Sequence, residues 1–359
     1  MNIVRVALAV PLPRFFDYLY SPDLMPIVGG RVLVPFGSQK RVGIVVDLPA
    51  SSDVAKEKLK PIIDVLDAES LFNSTTWDWL AWSANYYRAA LGDVLFQALP
   101  VKLRNGESAV KNDRTFWRIT DLGKQALESG ELKRAKKQIE ALNLLLTQYL
   151  EKGNNEISSA IWSALKGKDY VEEVIVPTEQ KSWQQALGDN PLVNLDNRLT
   201  LNKQQALAFS QLLFQEGFNV WLLEGVTGSG KTEIYLQYIE EVLKKGKQVL
   251  VLVPEIGLTP QTVRRFQARF NVEIDVLHSN LNDTQRLNVW ERARTGQSAI
   301  VIGTRSALFT QFSDLGLIIL DEEHDGSFKQ QDGWRYHARD LENANSALVV
   351  TVGPDDFEG

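Results

Sequence analysis

Residues 225–232 of this chain, G-V-T-G-S-G-K-T, carry the clearest chemistry, because they fit the pattern G-x-x-x-x-G-K-[ST] at every fixed position. In such a loop the glycines let backbone N–H groups close around phosphate oxygens. Lys231 reaches the β- and γ-phosphates, and the Thr232 hydroxyl is a ligand for Mg²⁺. We therefore expect a nucleotide site formed by the whole loop: Gly225, Val226, Thr227, Gly228, Ser229, Gly230, Lys231 and Thr232.

The neighbours of this loop favour a phosphate site over a glycine-rich turn with a solvated lysine. An apolar run of strand type at residues 220–223 precedes the loop, and residues 233–244 carry apolar side chains at helical spacing. A helix therefore begins where the anion would lie, and the N-terminus of a helix favours negative charge.

An acidic motif downstream supplies the remaining groups for phosphate chemistry. An apolar run leads straight into D-E-E-H at residues 321–324, a DEAH-like box. Asp321 is placed to hold Mg²⁺ together with Thr232, and Glu322 to orient or deprotonate the attacking water. An acidic cluster after a strand also occurs simply as a helix N-terminus, but the phosphate loop upstream weakens that alternative. We predict Lys231, Asp321 and Glu322 as catalytic residues.

The elements that must position these groups form a predicted α/β lobe. Apolar runs at residues 220–223, 249–253, 299–302 and 317–320 alternate with helical patterns. Their near-continuous Val, Ile and Leu predict strands buried on both faces of a mainly parallel sheet. Because the ligand crevice of such a sheet lies at the carboxyl ends of its strands, the loops after the four runs should converge.

The N-terminal third predicts a small β-rich domain followed by an aromatic helix. Residues 3–8 predict a strand, and residues 31–34 and 42–46 predict a hairpin. Ser74 or Thr75 is the predicted helix cap. The aromatic residues of this helix are Trp77, Trp79, Trp82, Tyr86 and Tyr87. Their helical spacing favours packing in a core, with base stacking as the lesser alternative.

Residues 105–178 predict a winged-helix-like α/β domain. A short strand at residues 116–119 precedes helices at residues 133–150 and 157–165, and alternating valines follow. Many such domains bind DNA and many only pack, so the pattern leaves the function of this part open. Residues 179–200 have the composition of a linker.

Composition limits the possible partners. The net charge is −6 and the pI near 5.4, so binding to nucleic acid needs local basic patches. Two are present: eight Lys and Arg face five Asp and Glu within residues 1–60, and ten face five within residues 102–137. The sequence has no cysteine, and its three histidines lack metal-motif spacing, so we expect no zinc site. Without a signal-peptide pattern or an apolar run of membrane length, we expect a cytoplasmic protein with no membrane partner.

Further stretches resemble the primosomal protein N′ family, the replication-restart DNA helicases of superfamily 2. They read V-P-L-P-R-F-F-D-Y at residues 10–18, R-V-L-V-P-F-G at 31–37, P-E-I-G-L-T-P-Q at 254–261, G-T-R-S-A-L-F at 303–309 and K-Q-Q-D-G-W-R-Y-H-A-R-D at 329–340. The resemblance implies an ATP-dependent 3′–5′ DNA helicase that recognises stalled or repaired forks and initiates primosome assembly. It also implies ATP and Mg²⁺ as cofactors.

The resemblance assigns roles to individual residues. Family members capture the 3′ end of a nascent strand in a pocket that matches Phe16, Asp17, Gly37 and Lys60. The chemistry is reasonable, because an aromatic ring stacks on a base, a carboxylate accepts from a 3′-hydroxyl and a lysine contacts phosphate. Gln205 matches the glutamine that reads adenine. The residues that match the coupling of DNA binding to ATP hydrolysis are Arg305, Trp334, Arg335 and Tyr336.

By the same resemblance the chain divides into five segments. These are a 3′-end-binding domain (1–104), a winged-helix-like domain (105–178), a linker (179–200), a RecA-like first helicase lobe (201–340) and an atypical tail (341–359). The family's second lobe, arginine finger and zinc sites have no counterpart here, so the tail indicates a truncation or a shifted reading frame. Within the tail, residues 347–352 predict a substitute strand.

Two functions stay open from the sequence. The first is the helicase, acting on branched, forked and single-stranded DNA. The resemblance implies single-stranded-DNA-binding protein and other primosome proteins as its partners. The second is a fragment that binds fork DNA and nucleotide without significant ATPase or unwinding activity, because an arginine finger contributes about 10³–10⁵ to the rate.

Overall fold

The computed structural model of the chain describes residues 2–10, 12, 14–109, 113–132, 135–146, 150–152, 157–177, 180–213, 219–226, 228–342 and 348–353. Contacts divide the chain into two compact units, one formed by residues 1–109 and 181–359 and the other by residues 110–180. Among the helices of the described residues, none combines the length and the apolar character that crossing a bilayer requires.

The larger unit begins with a five-stranded antiparallel sheet, which confirms the predicted β-rich domain. Its strands are β1 (Ile3–Leu8), β2 (Phe16–Leu19), β3 (Arg31–Phe36), β4 (Gln39–Asp47) and β5 (Asp64–Val65), in the order β2-β1-β4-β3-β5. The predicted hairpin is confirmed with a tighter turn, because Phe36 pairs with Gln39 and only Gly37 and Ser38 connect the strands. Gly37 has φ +60°, a conformation that costs glycine little.

A helical segment follows the sheet. Its helices are α1 (Ser74–Tyr86), α2 (Leu91–Gln97) and α3 (Val101–Arg104). The predicted cap of α1, Ser74 or Thr75, is wrong by one residue. Asn73 is the cap, because its backbone is extended and its side chain accepts a 2.7 Å hydrogen bond from the Thr76 N–H.

The aromatic residues of α1 divide between core and surface. Trp79 is buried, as the helical spacing favours. Trp82 and Tyr86 instead stack on each other at the surface, with ring centroids 4.9 Å apart and planes 20° from parallel. One turn of the helix separates this pair, which is the spacing at which side chains meet on one face.

The smaller unit combines helices with a three-stranded antiparallel sheet. Its elements are β6 (Asp113–Ile119), α4 (Asp121–Glu128), α5 (Lys136–Leu145), β7 (Leu150–Glu151), α6 (Ser159–Lys166) and β8 (Val171–Pro177), with the sheet order β7-β6-β8. The helix predicted for residues 133–150 is shorter, because Leu150 pairs with Trp117 in the sheet. Residues 133–134 and 147–149 of that prediction lie outside the described residues. The winged-helix-like assignment stays a prediction.

The rest of the larger unit is an α/β lobe around a parallel sheet, as predicted. Its strands are β9 (Val220–Glu224), β10 (Gln248–Leu252), β11 (Ile274–Leu277), β12 (Ile300–Gly303), β13 (Leu315–Asp321) and β14 (Leu348–Gly353), in the order β11-β12-β10-β13-β14-β9. Its helices are α7 (Trp183–Leu187), α8 (Lys203–Leu213), α9 (Lys231–Lys244), α10 (Pro260–Arg269), α11 (Asp283–Arg294) and α12 (Ala338–Glu342).

Strand β14 confirms the substitute strand predicted for the tail. Val349 pairs in parallel with Ile318 of β13 and with Val220 of β9. The phosphate-loop strand and the strand that ends in Asp321 therefore lie on either side of β14. Because all three strands are parallel, the two motifs lie at the same end of the sheet, where the strands have their carboxyl ends.

Three features of the lobe differ from expectation. The sequence does not predict β11, whose four residues are only half-buried at one edge of the described sheet. Strand β9 is not buried on both faces, because it forms the other edge and its side chains alternate between exposed and half-buried. The predicted linker contains helix α7. Its residue Trp183 has a buried side chain, and the backbone N–H of Trp183 donates to the Gly296 carbonyl at 2.9 Å.

Candidate functional site

The phosphate loop lies between β9 and α9, and its backbone needs glycine. Gly228 and Gly230 both have φ +83°, in the left-handed region that other residues rarely adopt. A Cβ at Gly230 would also overlap Nε2 of Gln205. Thr227 lies outside the described residues. A cavity of about 730 Å³ opens above the loop and is lined by Gly228, Ser229, Gly230, Lys231, Thr232, Asp321 and Glu322.

Lys231 and Gln205 both contact the loop itself. Lys231 Nζ donates to the carbonyl oxygens of Gly225 and Val226, and its distance to the Val226 oxygen is 3.2 Å. Gln205 Nε2 donates to the Ser229 carbonyl at 2.8 Å. The structure therefore places Gln205 against the phosphate loop, beside the predicted phosphate site. The ammonium group of Lys231 is paired with carbonyl oxygens that phosphate oxygens would replace.

The predicted magnesium ligands Thr232 and Asp321 line the same cavity. Burial raises the pKa of Asp321, and the hydrogen bond from Tyr235 opposes that rise. Tyr235, which is 2% exposed, donates to Asp321 Oδ2 at 3.0 Å. A carboxylate beside a hydroxyl fits a cation that prefers oxygen and binds through one or two carboxylates plus substrate phosphates, as Mg²⁺ does.

Glu322, which follows Asp321, has a strained backbone and a solvent-exposed side chain. Its φ is +52°, uncommon for any residue other than glycine. Its carboxylate is 54% exposed and lies 3.7 Å from Nε2 of His324. Strained backbone is often retained at functional sites, because the surrounding structure fixes a side chain where chemistry needs it.

Buried charges join the loop helix to α10 beside the same cavity, and the sequence analysis does not identify them. Arg269 of α10 is 1% exposed and its Nη2 lies 3.1 Å from Glu233 and 3.8 Å from Glu240, both on α9. Glu233 directly follows the phosphate-loop threonine. A charged residue on the buried face of α9 was the only available signal, and its partner lies on a helix more than thirty residues away.

The four predicted DNA-end residues also come together. Phe16, Asp17, Gly37 and Lys60 line a cavity of about 570 Å³ in the N-terminal sheet domain, which we call the DNA-end pocket. The sequence analysis assigns no role to its other lining residues, which are Arg5, Arg14, Phe15, Tyr18, Pro35, Phe36, Asp53, Val54 and Lys58. Aromatic rings, one central carboxylate and several cations are the groups that contact bases, sugar hydroxyls and phosphates.

Asp17 is held in place by two partners. Arg5 donates from Nε and Nη2 at 2.8 and 3.0 Å, and the Ser52 hydroxyl donates at 2.6 Å. Burial would raise the pKa of Asp17, but the hydrogen bonds from Arg5 and Ser52 outweigh it and lower that pKa below its usual range. The carboxylate is therefore ionised at neutral pH and fixed in orientation.

Phe16 presents an aromatic face beside this carboxylate. Its ring packs edge-on against Phe36, with centroids 5.2 Å apart, and the Arg14 guanidinium lies 5.1 Å from its centroid. A base that stacks on this face of Phe16 would take the place of Arg14, which could then pair with a phosphate.

The predicted coupling residues lie together, but their aromatic rings are not on the surface. Trp334 and Tyr336 are buried, whereas Arg335 between them is exposed. Arg305 Nη1 donates to the carbonyls of Ser327 and Lys329 at 2.8 and 2.7 Å. Arg305 therefore fastens the start of the loop.

Tyr87 of the N-terminal helical segment fastens the end of the same loop. Its hydroxyl donates to Asp340 Oδ2 at 2.8 Å and accepts from the His337 N–H at 3.1 Å. Its ring packs edge-on against Trp334, with centroids 6.3 Å apart. The helical segment and the loop after the acidic motif are thus joined directly.

Two protein families match this chain, one in the N-terminal part and one in the α/β lobe. Residues 5–100 match the family described as the 3′ DNA-binding domain of PriA. Residues 202–353 match the DEAD/DEAH box helicase family. The two matches cover the DNA-end pocket and the phosphate-loop cavity respectively.

Curated relatives agree over nearly the whole chain. A replication restart protein PriA from Haemophilus influenzae is 76% identical over 95% of this chain and 47% of the relative. Proteins of the same name from Synechocystis and Bacillus subtilis are 34% and 29% identical over 95% of this chain and 50% and 51% of their own length. The chain therefore spans about half the length of the curated relatives it matches.

Proposed function

This chain belongs to the PriA family of replication restart proteins, and from that premise we propose that it binds ATP and forked DNA and acts in ATP-dependent 3′–5′ unwinding. The observation that carries the proposal is the meeting of Lys231, Thr232, Asp321 and Glu322 at one cavity, beside a phosphate loop that needs glycine. Those four groups are the parts that nucleotide hydrolysis requires.

Each residue of the nucleotide site has a task in this proposal. Loop N–H groups and Lys231 bind the phosphates, and Lys231 exchanges the Gly225 and Val226 carbonyls for phosphate oxygens. Thr232 and Asp321 would hold Mg²⁺, which neutralises charge on the phosphates when bound. Glu322 orients a water molecule and accepts its proton. Gln205, held against the loop, contacts the adenine.

The DNA-end pocket serves recognition. Phe16 stacks on the terminal base, Asp17 accepts a hydrogen bond from the 3′-hydroxyl, and Lys60 contacts a phosphate. Gly37 has no side chain, and a Cβ at that position would meet no atom within 4 Å, so its surroundings leave room for a ligand. A fork with a nascent 3′ end is the substrate that offers these groups.

The proposal also covers the partners, the location and the domains of the protein. Stalled or repaired forks, single-stranded DNA, single-stranded-DNA-binding protein and other primosome proteins are the proposed partners, and the cytoplasm is the proposed location. The proposed domains are residues 1–104 for 3′-end binding, residues 105–178 as a winged-helix-like domain and residues 201–340 as the helicase lobe, with residues 179–200 between them.

A second function is binding of nucleotide and fork DNA without significant turnover, because rapid hydrolysis also needs an arginine finger, which contributes about 10³–10⁵ to the rate. DNA-stimulated ATP hydrolysis by the purified 359-residue chain separates the two. Fork-stimulated turnover that Lys231→Ala abolishes supports the enzyme. Nucleotide binding that Lys231→Ala weakens, with no turnover above that variant, supports the binding function. Absence of both would contradict the proposed nucleotide site.

A further inference from the structure

A second charged cavity adjoins the DNA-end pocket through the β3–β4 hairpin. Pro35, Phe36 and Gly37 of this hairpin line the DNA-end pocket, whereas Lys40, Arg41 and Val42 line the second cavity. The volume of the second cavity is about 850 Å³, within the roughly 300–1,000 Å³ of typical ligand sites. We call it the hairpin cavity.

The hairpin cavity is lined by four cations and one carboxylate. The cations are Lys40, Arg41, Arg88 and Arg104, and the carboxylate is Asp93. Arg104 is fixed by hydrogen bonds to the carbonyls of Leu99 and Gln97, at 2.7 and 3.2 Å. Asp93 forms no ion pair with these cations among the described residues. The lining therefore keeps a positive charge that favours an anionic ligand.

Two of the cations have side chains without a charged or hydrogen-bonding partner among the described residues. Within the part of the chain that the structure describes, neither Lys40 nor Arg88 forms an ion pair or a side-chain hydrogen bond. Arg88 also has φ +54°, an uncommon conformation for an arginine. The guanidinium of Arg41 lies 5.7 Å from the ring centroid of Phe36, so this residue lines one cavity and contacts a wall of the other.

Trp334 gives the hairpin cavity one aromatic wall. It lines the cavity but is only 4% exposed, because its ring packs against Tyr87, Phe309 and Tyr336. The cations are therefore the groups that an anionic ligand in this cavity would contact.

We propose that the hairpin cavity binds the sugar–phosphate backbone of single-stranded DNA a few nucleotides from the 3′ end held in the DNA-end pocket. The proposal rests on the proposed function of that pocket. Arg41 makes the connection, because it lines the hairpin cavity and contacts the ring of Phe36, which lines the DNA-end pocket. Lys40 and Arg88 contact phosphates of that strand.

The test compares a short oligonucleotide of about three nucleotides with one of about twelve, both with a 3′-hydroxyl. The 359-residue chain is titrated by fluorescence anisotropy over a range of salt concentrations. Arg88→Asn removes the charge and keeps a residue that tolerates the left-handed backbone. Lys40→Ala removes the second free cation. Lys181→Ala, an exposed lysine outside both cavities, is the matched control.

We expect Arg88→Asn and Lys40→Ala each to weaken binding of the long oligonucleotide about three- to tenfold and to leave the short one unchanged. Each should make the negative slope of log K against log salt shallower by roughly 0.7, the value for one phosphate of a single strand. Equal losses for both lengths, or slopes and affinities like those of Lys181→Ala, would overturn the proposal. Failure of 3′-end capture would appear separately, as equal binding of 3′-hydroxyl and 3′-phosphate ends.

Discussion

The phenol oxygen of Tyr235 lies 3.0 Å from Asp321 Oδ2 and donates a hydrogen bond to it. Tyr235 is on α9, one turn after the phosphate-loop lysine, and Asp321 ends β13. The pair thus joins the helix that begins at the phosphate site to the strand that supplies the proposed magnesium ligand. That hydroxyl group therefore orients the carboxylate of Asp321.

Tyr235→Phe should impair magnesium-dependent nucleotide binding. Loss of a residue that orients a metal ligand commonly costs 10–100-fold in metal affinity, so we expect the Mg²⁺ concentration for half-maximal ATP binding to rise about tenfold or more. Binding of a fluorescent ATP analogue is measured at a series of Mg²⁺ concentrations. Tyr238→Phe is the control. Tyr238 is buried on the same helix, and its hydroxyl forms no hydrogen bond with the described residues. Equal Mg²⁺ dependence of the two variants would show that Tyr235 only fills space.

Gly230→Ala should disrupt the phosphate loop. The new Cβ would both meet Nε2 of Gln205 and occupy a backbone with φ +83°. We expect a loss of nucleotide affinity of about tenfold or more, since strained backbone costs about 1–3 kcal/mol before the overlap is added. Gly188→Ala also introduces a side chain at positive φ, but no atom lies within 4 Å of its Cβ. That control should bind nucleotide normally, and parallel losses in the two variants would refute the argument from crowding.

Asp67→Ala should destabilise the N-terminal sheet domain strongly. Arg31 is fully buried, and Asp67 accepts from its Nε and Nη2, each at 2.8 Å. Removing one partner of a buried pair leaves an uncompensated charge and costs about 3–5 kcal/mol. Asp314→Ala breaks the exposed pair with Lys247 and should cost less than about 1 kcal/mol. Urea unfolding measures the free energy of unfolding of both variants. Similar urea midpoints for Asp67→Ala and Asp314→Ala would contradict the predicted difference.

Tyr87→Phe should loosen the loop that carries Trp334 and Tyr336. The change removes the donor to Asp340 and the acceptor of the His337 N–H, together worth about 1–3 kcal/mol. Hydrogen exchange should become faster in residues 334–340 and stay unchanged in β10 and β12. Tyr86→Phe, in the neighbouring position, removes a hydroxyl that has no partner among the described residues. If exchange in the loop is equal in both variants, Tyr87 does not fasten it.

The local motifs of the nucleotide site could be predicted from the sequence because they depend on short-range chemistry. A glycine-rich loop between an apolar run and a helical pattern defines the positions of Lys231 and Thr232. The strand that ends in Asp321 has the apolar character of a buried parallel strand, and the structure confirms it. The four DNA-end residues came from family resemblance, because their meeting depends on pairing of distant strands.

The partners of these residues could not be predicted, because they are distant in sequence. Tyr235 lies 86 residues from Asp321, and Ser52 lies 35 residues from Asp17. Helical spacing correctly favoured burial of Trp79, but the same spacing cannot tell that Trp82 lies on the exposed side. Strand β9 failed the expectation of two buried faces because its edge position is a property of the whole sheet.

The central claim is that this chain recognises a 3′ end through the carboxylate of Asp17. The most direct measurement is fluorescence anisotropy of the full chain, at one fixed salt concentration, with a fork that ends in a 3′-hydroxyl and with the same fork that ends in a 3′-phosphate. A hydrogen bond to a charged acceptor contributes about 1.5–3 kcal/mol, so the account predicts a ten- to hundredfold preference for the hydroxyl. Asp17→Asn should erase this preference, and Phe16→Ala should weaken both forks by about 1–3 kcal/mol. Equal binding of the two forks by the unmutated chain would contradict the account and leave Asp17 with a structural role alone, as the partner of Arg5 and Ser52.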